Sequence, residues 1–246
     1  MKCICLAAGY ATRLYPLTQN FPKPLLPVGG KPILDWLLED IEQSGEIDEY
    51  IVISNGKFAK HFEKWAENSK LNITVLDDGT FTNETRLGAV KDIQFALEKL
   101  KIDDDALIIA GDNVLDFSLC SFISYAKEKN ASCIMRYYEP DFAKLLKCGV
   151  VETNENDKIL SMTEKSPEPK THWCTPPFYF YKKEDLQKIP EAIACGCSTD
   201  APGSFAAYLA EITDVYAFEM PGRRFDVGNL EGYKKIDEEY KGICKK

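Results

Sequence analysis

Apolar and polar positions along the chain alternate between two periods. Residues 3–8 and 50–54 are short, nearly continuous apolar runs, the pattern of strands covered on both faces. Residues 33–43 space Ile33, Leu34, Leu37, Leu38 and Ile41 three and four apart, which predicts a helix with one apolar stripe. A second helix is expected over 58–68 and a strand over 72–76. A long helix over 86–100 then carries Leu87, Val90, Ile93, Leu97 and Leu100 on one side. Ala106–Ala110 reads as a fully apolar strand that stops at Gly111-Asp112-Asn113.

Repeated strand–helix–strand units imply the α/β class, with a parallel sheet and helices on both faces. Ligands of such sheets sit beyond the carboxyl ends of the strands. The loops over 9–16 and 111–113 fall at such ends. The second half has a different texture. Strands are expected over 148–153, 158–163 and Phe178–Tyr181, with little helix between them and a Pro-rich connection over 166–177. A further strand over 215–218 and a closing helix over 230–240 complete a β-rich extension of the same core. No linker, repeat or low-complexity tract interrupts the 246 residues, so a single domain with two functional halves is expected, about 1–115 and about 116–246.

Composition narrows the function. Hydrophobic residues make up 45% and charged residues 28%, as in soluble globular proteins. The net charge of −9 argues against nucleic acid or an anionic membrane as partner, yet a local basic patch can still hold a small anion. No signal peptide and no run of roughly 18 apolar residues is visible, so a cytoplasmic protein without a membrane span is expected. The nine cysteines are odd in number and include no CxxC; with only His61 and His172 to help, a zinc site is not expected. Cys3 and Cys5 read as small hydrophobes on one strand face. The pair Cys195 and Cys197 is the other close one, and all are read as free thiols in a reducing compartment.

The stretch "LAAGYATRLYPLT", Leu6 to Thr18, is a strand end leading towards a helix, which leaves backbone N–H groups free to face an anion. It is neither GxxxxGK[ST] nor GxGxxG. Gly29-Gly30-Lys31 reads as a turn. On its own, a loop with Gly9 and Arg13 leaves phosphate binding and a plain surface loop both open.

The motifs taken together resemble the sugar-1-phosphate nucleotidyltransferases, the nucleoside-diphosphate-sugar pyrophosphorylases. "LAAGYATRLYPLT…FPKPLLPVGGKPIL" is similar to that family's opening LAGGxGTRLxPLT and its P-K-x-L-x-P block. "IIAGDN" resembles the strand-end aspartate motif, and "CGVVE" resembles YGVVE. Glu164-Lys165 resembles EKP, with Ser166 inserted before Pro167. "RRFDVGN" resembles W-x-D-x-G-T. Five motifs follow in the family's order along nearly the whole chain. The departures are Ala8 and Ala11 where glycine is usual; a methyl group there restricts φ. Thr175-Pro176-Pro177-Phe178 replaces an N-x-G-x-Y type stretch.

The resemblance implies a Rossmann-like, mixed but mostly parallel sheet with a β-rich sugar-binding extension, and transfer of a nucleotidyl group from an NTP to a sugar-1-phosphate with release of pyrophosphate. dTTP or UTP with glucose-1-phosphate is the expected pair, as in glucose-1-phosphate thymidylyltransferase-like members. It implies Mg²⁺ on Asp112 and Asp226, and catalytic roles for Arg13 and Lys23 on the NTP phosphates and for Lys165 on the sugar phosphate. Leu6, Ala8, Gly9, Tyr10, Ala11 and Thr12 form the nucleotide loop. Asn113, Gly149, Glu164 and Lys165 are the substrate contacts. A hard divalent ion and cations suit the joining of two polyanions, where positioning and charge neutralisation do most of the catalysis.

Plainer roles stand beside these. Asp112 can cap a helix near Phe117, Asp226 can be a turn residue before Gly228, and Lys23 can be solvated. Lys165 can form an exposed pair with Glu164. The base-reading segment of relatives, P-x-G-L-A-Q-A, is replaced by "DDGTFTNETRLGAV". There Thr80, Asn83, Leu87 and Gly88 are the available readers, and no glutamine occurs before Gln94. A CTP-dependent enzyme acting on phosphocholine is a second reading, with Trp173, Phe178 and Tyr179 as an aromatic cage. A non-catalytic regulatory subunit is a third. The chain ends soon after the last helix, so no appended domain is expected; the partners are the two small substrates, with a homo-oligomer possible.

Overall fold

The computed structural model describes residues 1–225 and 227–243. The chain opens with β1 (Lys2–Leu6), two short 3-10 turns (Thr12–Leu14 and Lys23–Leu25), β2 (Pro27–Val28), β3 (Lys31–Pro32) and α1 (Ile33–Glu42). It continues through β4 (Glu49–Ser54), α2 (Ala59–Ala66), β5 (Ile73–Asp77), α3 (Ala89–Leu100), β6 (Ala106–Ala110) and β7 (Val114–Leu115). The second half holds α4 (Cys120–Lys129), β8 (Ser132–Tyr138), α5 (Phe142–Leu145), β9 (Gly149–Thr153), β10 (Ile159–Glu164), β11 (Trp173–Thr175) and β12 (Phe178–Tyr181). It ends with α6 (Lys183–Leu186), α7 (Ile189–Ala194), α8 (Gly203–Ile212), β13 (Val215–Glu219), β14 (Arg224–Phe225) and α9 (Leu230–Glu239).

These elements fall into two compact units that share the chain in turns. The first takes Met1–Arg86, Ala110–Ser121 and Pro221–Lys246; the second takes Leu87–Ile109 and Phe122–Met220. In the first unit β1, β4 and β5 pair in parallel, with Ile4 opposite Ile51 and Ile51 opposite Thr74. The apolar stripe of α1 lands where its spacing predicts: Ile33, Leu34, Leu37, Leu38 and Ile41 are all fully buried. Cys3 and Cys5 share one buried strand face, their sulfurs 3.9 Å apart as free thiols. The closing helix α9 starts where Asn229 caps it, its side chain accepting from the Gly232 amide at 2.8 Å.

The second unit is β-rich as expected. Its strands run in the order β10-β9-β11-β8-β12-β6, and the registered pairs among them are antiparallel; β13 adds to β8 in parallel. The class is therefore mixed α/β, as the sequence pattern implies. Little helix separates β9 to β12, but α4 and β8 precede them, and α7 and α8 follow. A helix near Phe117 is expected and α4 begins at Cys120, but β8, α7 and α8 are not evident in the sequence pattern. In α8 the buried face is Phe205, Ala206 and Leu209 beside small residues, too weak an apolar contrast to stand out. The long helix expected from Arg86 starts three residues later. Gly88 has φ +95°, and a Cβ there would lie 2.5 Å from the Thr199 carbonyl oxygen, so the backbone turns at this glycine before α3 begins. Among the described residues no helix is long and apolar enough to cross a membrane.

One buried side chain ties the end of β1 to the start of α2. Asn55 is fully buried; its Nδ2 donates to the Ala8 carbonyl at 2.9 Å, and its Oδ1 accepts from the Phe58 amide at 3.1 Å. Replacing it with alanine removes the donor to the buried Ala8 carbonyl, while the Phe58 amide keeps the residue-55 carbonyl as a partner at 3.1 Å. Asn55→Ala is expected to lower the unfolding free energy by about 2 kcal/mol, read as a reduced urea midpoint. An unchanged midpoint would show that the loop after β1 does not depend on this bridge.

Candidate active site

In the first unit the loop after β1 folds over a cavity of about 160 Å³, lined by Leu6, Gly9, Ala11, Arg13, Lys23 and Asp112, with Ala7, Leu14, Pro24, Val227 and Gly228 completing the wall. The two nucleotide-loop positions where alanine replaces glycine behave differently. Ala8 is buried, keeps an ordinary negative φ and uses its carbonyl to accept from Asn55, so its methyl group causes no backbone strain. Ala11 has φ 45° and ψ 42°, the left-handed region that L side chains resist at a cost of about 1–2 kcal/mol. Its carbonyl accepts from the Leu14 amide and from the Thr18 hydroxyl, at 3.0 and 2.8 Å, and these bonds hold the turn shut. Thr12 opens the 3-10 turn that carries Arg13. Gly9 is free of both demands: its φ is not positive, and a Cβ there would meet nothing within 4 Å. Arg13 is exposed on the cavity and forms no ion pair among the described residues.

Lys23 and Asp112 meet across this cavity. Lys23 is 8% exposed, and its ammonium donates to Asp112 Oδ2 at 2.7 Å. The Asp112 side chain itself is 41% exposed. Gly111 brings it there: the glycine amide donates to the Leu6 carbonyl at 3.0 Å, and a Cβ would already be 3.3 Å from Leu34 Cδ1. Asn113 is only 4% exposed. Its Nδ2 donates to the Ala110 carbonyl and to Asp112 Oδ1, at 3.1 and 3.2 Å, while its Oδ1 accepts from Arg224 Nη1 at 3.0 Å. The Asn113 amide is thus engaged within the protein. Asp226 lies outside the described residues.

The segment expected to read the base is divided. Tyr10 is buried, and its hydroxyl lies 3.4 Å from the Thr80 hydroxyl. Thr80 is buried too, tied by its carbonyl to the Gly56 amide and by its own amide to Asp78 Oδ1. Asn83 is exposed, its carbonyl accepting from Arg86 Nη1 at 3.0 Å. Leu87 and Gly88 belong to the second unit, where Gly88 packs on the backbone of Thr199 and Asp200.

The second unit assembles the remaining group. Gly149 on β9 lies opposite both Glu164 on β10 and Thr175 on β11. A Cβ at Gly149 would be 2.8 Å from Glu164 Oε2, and one at Gly203 would be 2.5 Å from the same oxygen. Two glycines therefore cradle this half-buried carboxylate, which has no side-chain hydrogen bond among the described residues. Burial raises its carboxyl above the ordinary value, against the opposing pull of Lys165. Lys165 is exposed and sits at φ 51°, its amide donating to the Cys148 carbonyl at 3.0 Å. Gly203, which completes the cradle, belongs to no motif and was not readable from the sequence. The aromatic trio does not form a cage: Phe178 and Tyr179 are buried neighbours of β12, and the Arg136 guanidinium lies 4.8 Å over the Trp173 ring.

The family model described as nucleotidyl transferase matches residues 2–242. The chain is 26% identical over 244 residues to UTP–glucose-1-phosphate uridylyltransferase of Synechocystis sp., covering 95% of this chain and 61% of that protein. It is 27% identical over 234 residues to mannose-1-phosphate guanylyltransferase of Mycobacterium tuberculosis, covering 95% of this chain and 62% of that one. The chain thus spans about three fifths of the length of these two curated relatives. The crystal structure of apo UDP-glucose pyrophosphorylase superposes with a TM-score of 0.83 at 19% identity, over 97% of each chain, a likeness of fold.

Two measurements follow. Ala11→Gly releases left-handed strain of about 1–2 kcal/mol and gives back about 0.5–1 kcal/mol through a freer unfolded chain, so a net gain near 0.5 kcal/mol is expected in urea unfolding. A loss of stability would mean that the methyl contact outweighs the strain. For Glu164 the raised carboxyl fixes the sign: between its ordinary and its raised value the folded chain holds a proton the unfolded chain has lost, so its contribution to stability falls as pH rises through that window. Glu164→Gln should therefore be more stable than the parent at neutral pH and equal to it below about pH 4. A constant difference across the pH range would refute the burial argument.

Proposed function

We propose that this chain, which belongs to the nucleotidyl transferase family, transfers a nucleotidyl group from an NTP to a sugar-1-phosphate, releasing pyrophosphate and an NDP-sugar. A phosphate oxygen of the sugar phosphate forms the new bond to the α-phosphorus as the bond to the β-phosphate oxygen breaks. UTP or dTTP with glucose-1-phosphate is the preferred pair; likeness to the Synechocystis UTP–glucose-1-phosphate uridylyltransferase supports it, while likeness to a mannose-1-phosphate guanylyltransferase leaves the base the least constrained part.

The observation that carries the reading is the joint presence of Arg13, Lys23 and Asp112 on one cavity at the mouth of β1. Bringing two polyanions together requires fixed positive charge, and an arginine with no ion pair among the described residues offers its whole fork to phosphate oxygens. Lys23 adds a second cation within reach of the same space. Gly9 lines this cavity with open space over its Cα, which leaves room for a ligand to approach the backbone closely.

Mg²⁺ fits the residues present. Asp112 presents a hard, exposed oxygen donor, and among the described residues no group of three or more His, Cys, Asp or Glu forms an all-protein cage. That donor set suits an ion held by one or two carboxylates with phosphates and water completing its shell. Asp112 and, by its place in the motif, Asp226 would hold it; when bound, it neutralises charge on the phosphates. In the second unit the cradled Glu164 carboxylate accepts from sugar hydroxyls, and Lys165 offers a cation to the sugar phosphate. Asn113, with its amide engaged inside the protein, orients Asp112 in this scheme.

Incubation of the purified protein with a panel of NTPs and sugar-1-phosphates in Mg²⁺ is expected to release pyrophosphate, fastest with UTP or dTTP and glucose-1-phosphate. Asp112→Asn should lower kcat by about 10²–10³-fold with the circular dichroism spectrum unchanged. Silence with every pair would refute the reading.

A further inference from the structure

We infer that Arg224 is a positioning residue for this reaction, fixing the Asp112 carboxylate through the side-chain amide of Asn113. The inference rests on the proposed function for its consequence in turnover, and on geometry alone for the relay itself. Pairing of β14 with β7 sets Arg224 opposite Leu115 and Phe225 opposite Val114, so the guanidinium arrives beside the residue that precedes β7. Its Nη1 donates to Asn113 Oδ1 at 3.0 Å.

A guanidinium can only donate. The amide oxygen of Asn113 must therefore face Arg224, and the amide nitrogen must face the other way, where it meets the Ala110 carbonyl at 3.1 Å and Asp112 Oδ1 at 3.2 Å. The two ends of an asparagine amide have nearly the same shape, so packing alone does not choose between them. Were the amide reversed, its oxygen would face two acceptors in a site that is 4% exposed, with little water to relieve the repulsion. Arg224 thus anchors the oxygen end of an amide whose nitrogen end faces these two acceptors, the amide donates to Oδ1 of Asp112, and Oδ2 is left for Lys23 at 2.7 Å. Both carboxylate oxygens are then directed by named donors. The family motif W-x-D-x-G-T has tryptophan where this chain has Arg224, so the device belongs to this chain's own residues. Arg223 beside it does something else: its Nε lies 3.0 Å from Asp116 Oδ2 on the surface.

The test compares Arg224→Met, Arg224→Lys, Asn113→Ala and the double variant Arg224→Met/Asn113→Ala, with Arg223→Met as control. Two readouts are taken. Titration with Mn²⁺ alone, followed by electron paramagnetic resonance, needs no turnover; steady-state pyrophosphate release gives kcat and KM. Arg224→Met is expected to weaken Mn²⁺ binding by about tenfold and to lower kcat by about tenfold or more, with KM for the sugar phosphate changed less than about twofold. Asn113→Ala should show the same losses, and the double variant should be no worse than either single one, because all act through one chain of bonds. Arg224→Lys, which keeps a charged donor, should fall between, and Arg223→Met should match the parent. Wild-type Mn²⁺ binding and kcat in Arg224→Met, or losses that multiply in the double variant, would overturn the inference. If Arg224→Met does not fold, Arg224→Lys decides: an intermediate loss supports the relay and parental values overturn it. A parent protein without turnover on any pair refutes the proposed function, and the Mn²⁺ titration still judges the relay.

Discussion

A lysine ammonium taken out of water needs an anion against it, and Lys23 finds one in Asp112 at 2.7 Å. The rest of the ligand end of the first unit is arranged so that these two groups can meet. Lys23 sits in a 3-10 turn opened by Pro22, ended by the buried Leu25 and followed by the buried Leu26, which fixes where its stem enters. Asp112 follows a strand end pinned by the Gly111 amide on the Leu6 carbonyl, at a place where a Cβ would press on Leu34 Cδ1 at 3.3 Å. One partner is sealed and the other is half open, so the pair holds a lysine in place while keeping a carboxylate oxygen within reach of the cavity.

Backbone strain marks the loops expected to face phosphate. Ala11 and Lys165 both lie in the left-handed region without being glycine, and each is held by a bond from a neighbouring segment: Thr18 to the Ala11 carbonyl, and the Lys165 amide to Cys148. A non-glycine residue stays in such a conformation only when its surroundings over-determine it, and such positions gather at functional sites. In the first case the strain bends the chain so that Arg13, two residues on, reaches the cavity. In the second it ends β10 sharply after Glu164, placing the carboxylate in its glycine cradle and the lysine beyond the strand.

The sequence made the central elements readable because their apolar residues repeat with one period and end at glycine or aspartate. The α1 stripe, the runs at β1, β4 and β6, and the Gly111-Asp112-Asn113 stop are of this kind. The first-unit cavity was readable for the same reason: its lining residues cluster in short motifs, and even Val227 and Gly228 lie within one of them. What stayed hidden depends on pairs far apart in the chain. Gly203 approaches Glu164 from α8, a helix of small residues with weak apolar contrast, and Thr199 decides where α3 begins. The interleaving of the two units, with Ala110–Ser121 and the chain from Pro221 returning to the first, likewise leaves no local trace. Arg224 stood inside a quoted motif, yet its partner is 111 residues away and no periodicity connects them.

The polar groups of the site separate by whether the protein satisfies them. Tyr10, Thr80 and Asn113 are buried and hydrogen-bonded, and a group so engaged is poorly placed to gain from a ligand; its effect is to hold shape. Arg13 and Glu164 are the opposite case, a guanidinium with no ion pair and a half-buried carboxylate with no donor among the described residues. Glu164 is costly as it stands because it is half-buried, whereas exposed Arg13 is hydrated; in the proposed reaction hydroxyl donors would satisfy the carboxylate and phosphate oxygens would engage the guanidinium. Lys23 lies between these cases. Its bond to Asp112 satisfies it in the free protein; in the proposed reaction a phosphate would compete with that carboxylate for the lysine, and a cation at Asp112 would free the lysine for the phosphates.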